Sequence, residues 1–176
     1  GRKAELSLAG SEHIPDNLVL RAARLLMAHA GGGGHVEMRL EKRIPMGAGM
    51  GGGSSDAAAV LRGLNVLWGL DWPPERLEAI AATLGSDVPF FIHCGVARCT
   101  GRGEKVEPLR DLRPLRLLLM VPASGNGPGK TARRYASLTP RDFTDGHRSW
   151  RLSQRIARGA PPPTADLINP FEAAIE

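Results

Sequence analysis

Five glycines (Gly47, Gly49, Gly51, Gly52 and Gly53) crowd into seven residues between an alternating apolar stretch and an alanine-rich one. Glycine takes positive φ without strain and lets a ligand approach the backbone closely. Upstream, Val36, Met38 and Leu40 alternate with Glu37, Arg39 and Glu41, which predicts a strand with one buried face. It is expected to end near Ile44-Pro45, because proline cannot donate to a ladder. Downstream, Ala58, Leu61, Leu64 and Trp68 share a helical stripe, predicting a helix over 54–68. A glycine run opening onto a helix offers free amide N–H groups and the positive end of the dipole, a combination that binds phosphate. Ser54 and Ser55 bring hydroxyls to the first turn, as caps, as phosphate contacts or as candidate Mg²⁺ contacts. Asp56 is discordant, since its carboxylate would repel a polyphosphate unless Mg²⁺ or a lysine intervened.

The remaining pattern mixes strands and helices. A short strand is expected at Ala4–Leu8, then a helix starting at Pro15-Asp16 with Asp16 as its cap. Leu18, Ala22, Leu25 and Leu26 carry that helix to about Ala30. Pro73 and Pro74 open another, with Leu77, Ile80 and Leu84 before Gly85. Val88–Ile92 and Val96–Thr100 read as strands, and Gly101-Arg102-Gly103 as a turn before Lys105-Val106. Leu115–Val121 reads as a buried apolar strand, followed by a loop and a helix from about Thr131. A last short helical stretch follows Ala160–Pro163. Without regular βαβ alternation the class is α+β.

Bulk composition narrows the functions. Hydrophobic residues at 42% and charged residues at 23% suit a globular fold. Aromatics at 5% argue against a stacking platform for single-stranded nucleic acid. The net charge of +5 suits a protein that meets anions, although no segment concentrates five or six basic residues. Neither nucleic acid nor membrane is expected as a partner. Cys94 and Cys99 lack a CxxC partner, and the five histidines show no ligand spacing. Two reduced thiols in a cytoplasmic protein is the expectation. The chain opens on Gly1 with strand-like residues at once, so residues upstream are expected to be missing.

The segment from Lys42-Arg43-Ile44-Pro45 through Gly49-Met50-Gly51-Gly52-Gly53-Ser54-Ser55-Asp56-Ala57-Ala58-Ala59 resembles the second motif of the GHMP kinases. Four further stretches are similar to that family in the right order. They are Asp16-Asn17-Leu18-Val19 followed by Arg21-Ala22-Ala23, Leu84-Gly85-Ser86-Asp87-Val88-Pro89-Phe90-Phe91, Gly101-Arg102-Gly103-Glu104, and Thr131-Ala132 with Tyr135. Asn169 with Glu172 resembles a later helix of the family.

This resemblance implies a two-domain fold. Residues 1–112 would form a nucleotide-binding domain like domain 2 of ribosomal protein S5, and 113–176 the start of a ferredoxin-like domain, truncated at both ends. It implies ATP and Mg²⁺ as cofactors. The small-molecule acceptor would be a cytidine diphosphate-linked methylerythritol of the non-mevalonate isoprenoid pathway, phosphorylated on its 2-hydroxyl. Asp87 would be the catalytic base or orienting carboxylate, in a partly dry pocket beside Val88, Pro89 and Phe90. ATP would lie on Pro45, Met46, Gly47, Ala48, Gly49, Met50, Gly51, Gly52, Gly53, Ser54 and Ser55, with Asn17, Leu18 and Lys42 near the adenine. Thr131 would face the substrate or cap a helix.

The family's first-strand lysine and its third glycine-rich motif have no counterpart here, so this piece alone is expected to be inactive or nearly so. Three alternatives stand beside this reading. One is another GHMP kinase of homoserine or mevalonate type, and another is a non-catalytic nucleotide-binding remnant. The third is a P-loop enzyme built on Ser124–Thr131, which lacks the first glycine of that motif.

Overall fold

The computed structural model describes residues 6–10, 16–114, 116, 118–120, 135–142 and 145–167. It contains a strand β1 (Leu6–Gly10), a helix α1 (Leu18–His29), a strand β2 (Val36–Leu40), three helices α2 (Gly52–Leu67), α3 (Pro74–Leu84) and α4 (Val88–His93), two strands β3 (Val96–Thr100) and β4 (Lys105–Leu109), and a helix α5 (His147–Ala157). Short 3₁₀ turns lie at Pro140–Asp142 and Thr164–Asp166. Chain contacts divide into two compact units, Gly1–Cys94 with Cys99–Val106, and Gly95–Arg98 with Glu107–Glu176.

In the first unit β1 and β2 pair in parallel, from Leu6 opposite Val36 to Gly10 opposite Leu40, with α1 as the crossover. The core is helical. Ala22, Ala23 and Leu26 of α1 meet Ala57, Ala58, Leu61 and Leu64 of α2. The four alanines are completely buried, and small side chains let the two backbones come close. Leu77, Ile80 and Ala81 of α3, with Val88 and Ile92 of α4, complete the cluster. Asn65 fixes the α2–α3 connection. Its Nδ2 donates to Trp72 O and its Oδ1 accepts from Trp72 N–H, both at 3.1 Å.

Several sequence expectations require correction. The cap of α1 is Asn17, whose Oδ1 accepts the Val19 N–H at 2.9 Å; Asp16 stands at φ 51° and pairs with Arg21. β2 stops at Leu40, four residues before Ile44, and α2 starts at Gly52, two residues before Ser54. Val88–Ile92 is helical, because Pro89 in the first turn favours helix entry and the four-residue spacing of Val88 and Ile92 buries both on one side. β-branched and aromatic residues had favoured a strand there.

In the second unit the expected strand Leu115–Val121 is not formed by its described residues, and Leu118, Leu119 and Met120 are exposed. Helix α5 was not anticipated, because three arginines within it and a fourth at its C-cap dilute its apolar pattern. The expected helix from Thr131 lies mostly outside the described residues, Tyr135 and Ala136 being helical. Among the described residues, no helix is long and apolar enough to cross a membrane.

Candidate phosphate-binding site

Three glycines of the loop use left-handed backbone: Gly47, Gly49 and Gly51 have φ of 68°, 76° and 67°. Gly51 turns the chain into α2, and its carbonyl accepts the Ser55 N–H at 2.8 Å, the first bond of the helix. The amides of Gly52, Gly53 and Ser54 therefore precede any intrahelical acceptor and point out of the helix start. The Ser55 hydroxyl donates to Gly52 O at 2.8 Å, tightening the same turn. Pro45, Met46, Gly47 and Gly49 are exposed, and Ala48, Met50 and Ser54 half-buried. A Cβ on Gly49 would meet nothing within 4 Å, so this stretch of backbone is open to a ligand.

The loop is seated from three sides. A Cβ on Gly51 would lie 2.9 Å from Cε2 and Cζ of Phe91, on α4. One on Gly52 would lie 3.0 Å from Ile44 Cγ2 and 3.4 Å from Lys42 Nζ, and one on Gly53 3.5 Å from Leu18 Cδ1. Lys42 donates to Asp56 Oδ2 at 2.5 Å, and its side chain keeps only 8% of its exposure. A lysine thus stands against the discordant carboxylate. Asn17 caps the helix that carries Leu18, so the cap positions that wall.

Asp87 is the residue before α4, and no side-chain bond ties its carboxylate to the helix start. It is exposed, which replaces the expected dry pocket: Val88 and Pro89 turn inward at the corner while Asp87 turns out. Its Oδ1 lies 3.9 Å from where a Cβ on Gly103 would stand, so the turn at 101–104 faces it. That turn is held by Glu104, whose carboxylate accepts the Arg102 N–H at 2.7 Å. Backbone N–H groups of Glu104 and Arg102 keep the Glu104 carboxyl below its ordinary range. Burial, and then the Asp87 charge, push the Cys99 thiol up.

The structure thus brings Leu18, Lys42, Ile44, Gly51–Ser55, Asp56 and Phe91 together, and Asp87 joins this group through α4. Sequence reasoning quoted Ile44 and Phe91 within family-like stretches but gave neither a place at the site, since no local signal marks a bulky residue that a distant glycine must face. Thr131, the loop Ser124–Lys130, Asn169 and Glu172 lie outside the described residues. Among the described residues, no group of three or more His, Cys, Asp or Glu could hold a metal ion.

Residues 17–95 match the model of the GHMP kinases N terminal domain. A 4-diphosphocytidyl-2-C-methyl-D-erythritol kinase of Dehalococcoides mccartyi is 47% identical over 143 residues, covering 81% of this chain and 50% of that protein. One from a Synechococcus species is 44% identical over 149 residues, covering 83% and 48%. A crystal structure of 4-(cytidine 5'-diphospho)-2C-methyl-D-erythritol kinase superposes with a TM-score of 0.70 at 38% identity, covering 97% of this chain and 60% of that one. The chain spans about half the length of the curated relatives it matches. The mixed helices and strands form an α+β fold like that of the GHMP kinases, and residues 17–95 carry the match to the N-terminal domain of that family.

Proposed function

We propose that this chain supplies the ATP-binding part of a kinase that phosphorylates the 2-hydroxyl of 4-diphosphocytidyl-2-C-methyl-D-erythritol in isoprenoid biosynthesis, in the cytoplasm. The observation that carries the reading is the open, left-handed glycine loop at the start of α2, braced by Lys42 and Phe91. The 47% identity to a kinase of that name supports the acceptor. Residues 1–112 would form the nucleotide-binding domain and 113–176 the beginning of a second.

Phosphoryl transfer is governed by positioning and charge neutralisation. The Gly52, Gly53 and Ser54 amides would hold the β- and γ-phosphates, while Pro45–Met50 wraps the nucleotide and Ser54 presents its hydroxyl. Asn17 and Leu18 would form the wall nearest the adenine. Lys42, by neutralising Asp56, keeps a carboxylate at the helix start from repelling the polyphosphate. Mg²⁺ fits as a cation held chiefly by the phosphates with a serine hydroxyl, and when bound it supplies further charge neutralisation. The exposed Asp87 carboxylate would accept a hydrogen bond from the substrate hydroxyl and aim its oxygen at the γ-phosphorus. Thr131 is proposed on the substrate side.

The test is phosphate transfer from ATP to 4-diphosphocytidyl-2-C-methyl-D-erythritol by the protein at the full length its gene encodes, beside Asp87→Ala. Transfer in the first that falls by about 10²–10⁴ in the second is expected. A folded, ATP-binding protein with no transfer would send the acceptor back to the wider family. Transfer that survives Asp87→Ala would remove that residue from the chemistry.

A further inference from the structure

The net charge is not shared between the two units. Of the 23 Lys and Arg, 12 fall in the second unit, against 7 of the 18 Asp and Glu, so the whole excess of +5 resides there. Helix α5 concentrates it. Arg148, Arg151, Arg155 and Arg158 recur at spacings of three and four, which places them along one side of a helix. Ser153 and Ile156 are buried on the other side.

A cleft of about 400 Å³ runs along the arginine side, lined by Trp150, Arg151, Gln154, Arg155, Arg158 and Ala160. No carboxylate of the described residues lines it. Arg148 is paired with Asp166 at 3.5 Å, but Arg151 and Arg158 have no ion pair among the described residues. Arg155 donates from Nε to Pro161 O at 2.8 Å, which fixes its guanidinium without neutralising it. The Arg110 guanidinium comes alongside Gly159, adding a further cation near the end of the cleft. Like charges at these spacings destabilise a helix, so an anion would relieve the repulsion. Trp150, half-exposed at the edge of the cleft, adds a flat apolar face.

We propose that this cleft binds a phosphorylated planar ring of the nucleotide class, its phosphates on Arg151 and Arg158 and its ring against Trp150. Guanidinium groups recognise phosphate oxygens through paired donors, and an indole face accepts any base. The cleft is of small-ligand size, and among the described residues Trp150 is the single aromatic lining it. Single-stranded nucleic acid would need rings for successive bases, so one nucleotide is favoured over a strand. Every residue named belongs to the second unit, so the proposal does not rest on the reading of the glycine loop.

The experiment follows the Trp150 indole N–H resonance of the whole chain, assigned by Trp150→Phe, while ADP and then inorganic pyrophosphate are titrated. A saturable shift with ADP is expected, with pyrophosphate binding about tenfold more weakly for lack of the ring. Arg151→Glu with Arg158→Glu should abolish that shift while the Gly52–Ser54 amides still respond to ADP. Amide hydrogen-exchange protection retained across α5 in the double variant shows that the helix is still folded. Any of three results would overturn the proposal: no saturation with ADP, equal binding of pyrophosphate, or a Trp150 shift that survives the double substitution. A ten-residue oligonucleotide binding more tightly per nucleotide than ADP would also overturn it, in favour of a nucleic-acid surface.

Discussion

The Lys42 ammonium stands 2.5 Å from the Asp56 carboxylate and ties the segment after β2 to α2, just past its first turn. Lys42 is nearly buried and Asp56 a quarter exposed, so the pair is shielded from salt more than a surface bridge would be. Removing one partner strands the other charge. Asp56→Ala should cost about 2–3 kcal/mol, less than for a fully buried pair because water still reaches Asp56. Asp56→Asn, which keeps an acceptor, should cost about 1 kcal/mol. Urea midpoints at constant m check this; equal losses in the two variants would mean that charge is not what the pair contributes.

Gly51 and Gly49 separate backbone strain from crowding. Both have positive φ, but only at Gly51 does a Cβ collide, with Phe91 at 2.9 Å. Gly49→Ala should cost about 1 kcal/mol, the left-handed penalty alone. Gly51→Ala adds overpacking and should cost about 2–4 kcal/mol. Thermal unfolding of both variants, and of Gly51→Ala with Phe91→Leu, checks the cause. If the double variant recovers nothing, the Phe91 contact is not the source.

Asn65 satisfies both backbone groups of Trp72 from a single amide. Asn65→Ala leaves a partly buried N–H and C=O without those partners and should cost about 1–3 kcal/mol. Hydrogen exchange offers the sharper reading, since protection should fall at the Trp72 amide first. Unchanged exchange there would show that solvent already replaces the clamp.

The Cys99 thiol is raised first by burial and then by the Asp87 charge, so at a given pH it holds less thiolate than an ordinary thiol. Its alkylation by iodoacetamide, followed in a Cys94→Ser background, should therefore rise with pH later than that of a free thiol. Asp87→Asn removes the smaller cause, so the profile should move to lower pH while staying above the free-thiol curve. No movement would place the Asp87 carboxylate too far from Cys99 to be felt.

Much of this molecule is legible without coordinates. The stripe Ala58, Leu61, Leu64 foretells the buried face of α2, Pro73-Pro74 and Gly85 bracket α3, and the alternation at Val36–Leu40 marks β2. These signals are local, because periodicity and backbone restriction act within a few residues. Val88–Ile92 and α5 show where local signals fail. An apolar run of five fits strand or helix until a neighbour decides which sides must be buried, and an arginine-rich helix hides its narrow apolar side.

The sequence by itself determined that a glycine-rich loop opens a helix here, because five glycines and two serines leave the backbone few other uses. Only the tertiary structure decided what surrounds the loop. Phe91 is forty positions from Gly51 and Lys42 fourteen from Asp56, and no local rule reaches across those intervals. Burial decides them, since packing α4 and α1 on α2 brings a ring against the one glycine that admits it. The same packing leaves Asp87 facing outward, a placement that follows from which neighbours had to turn in.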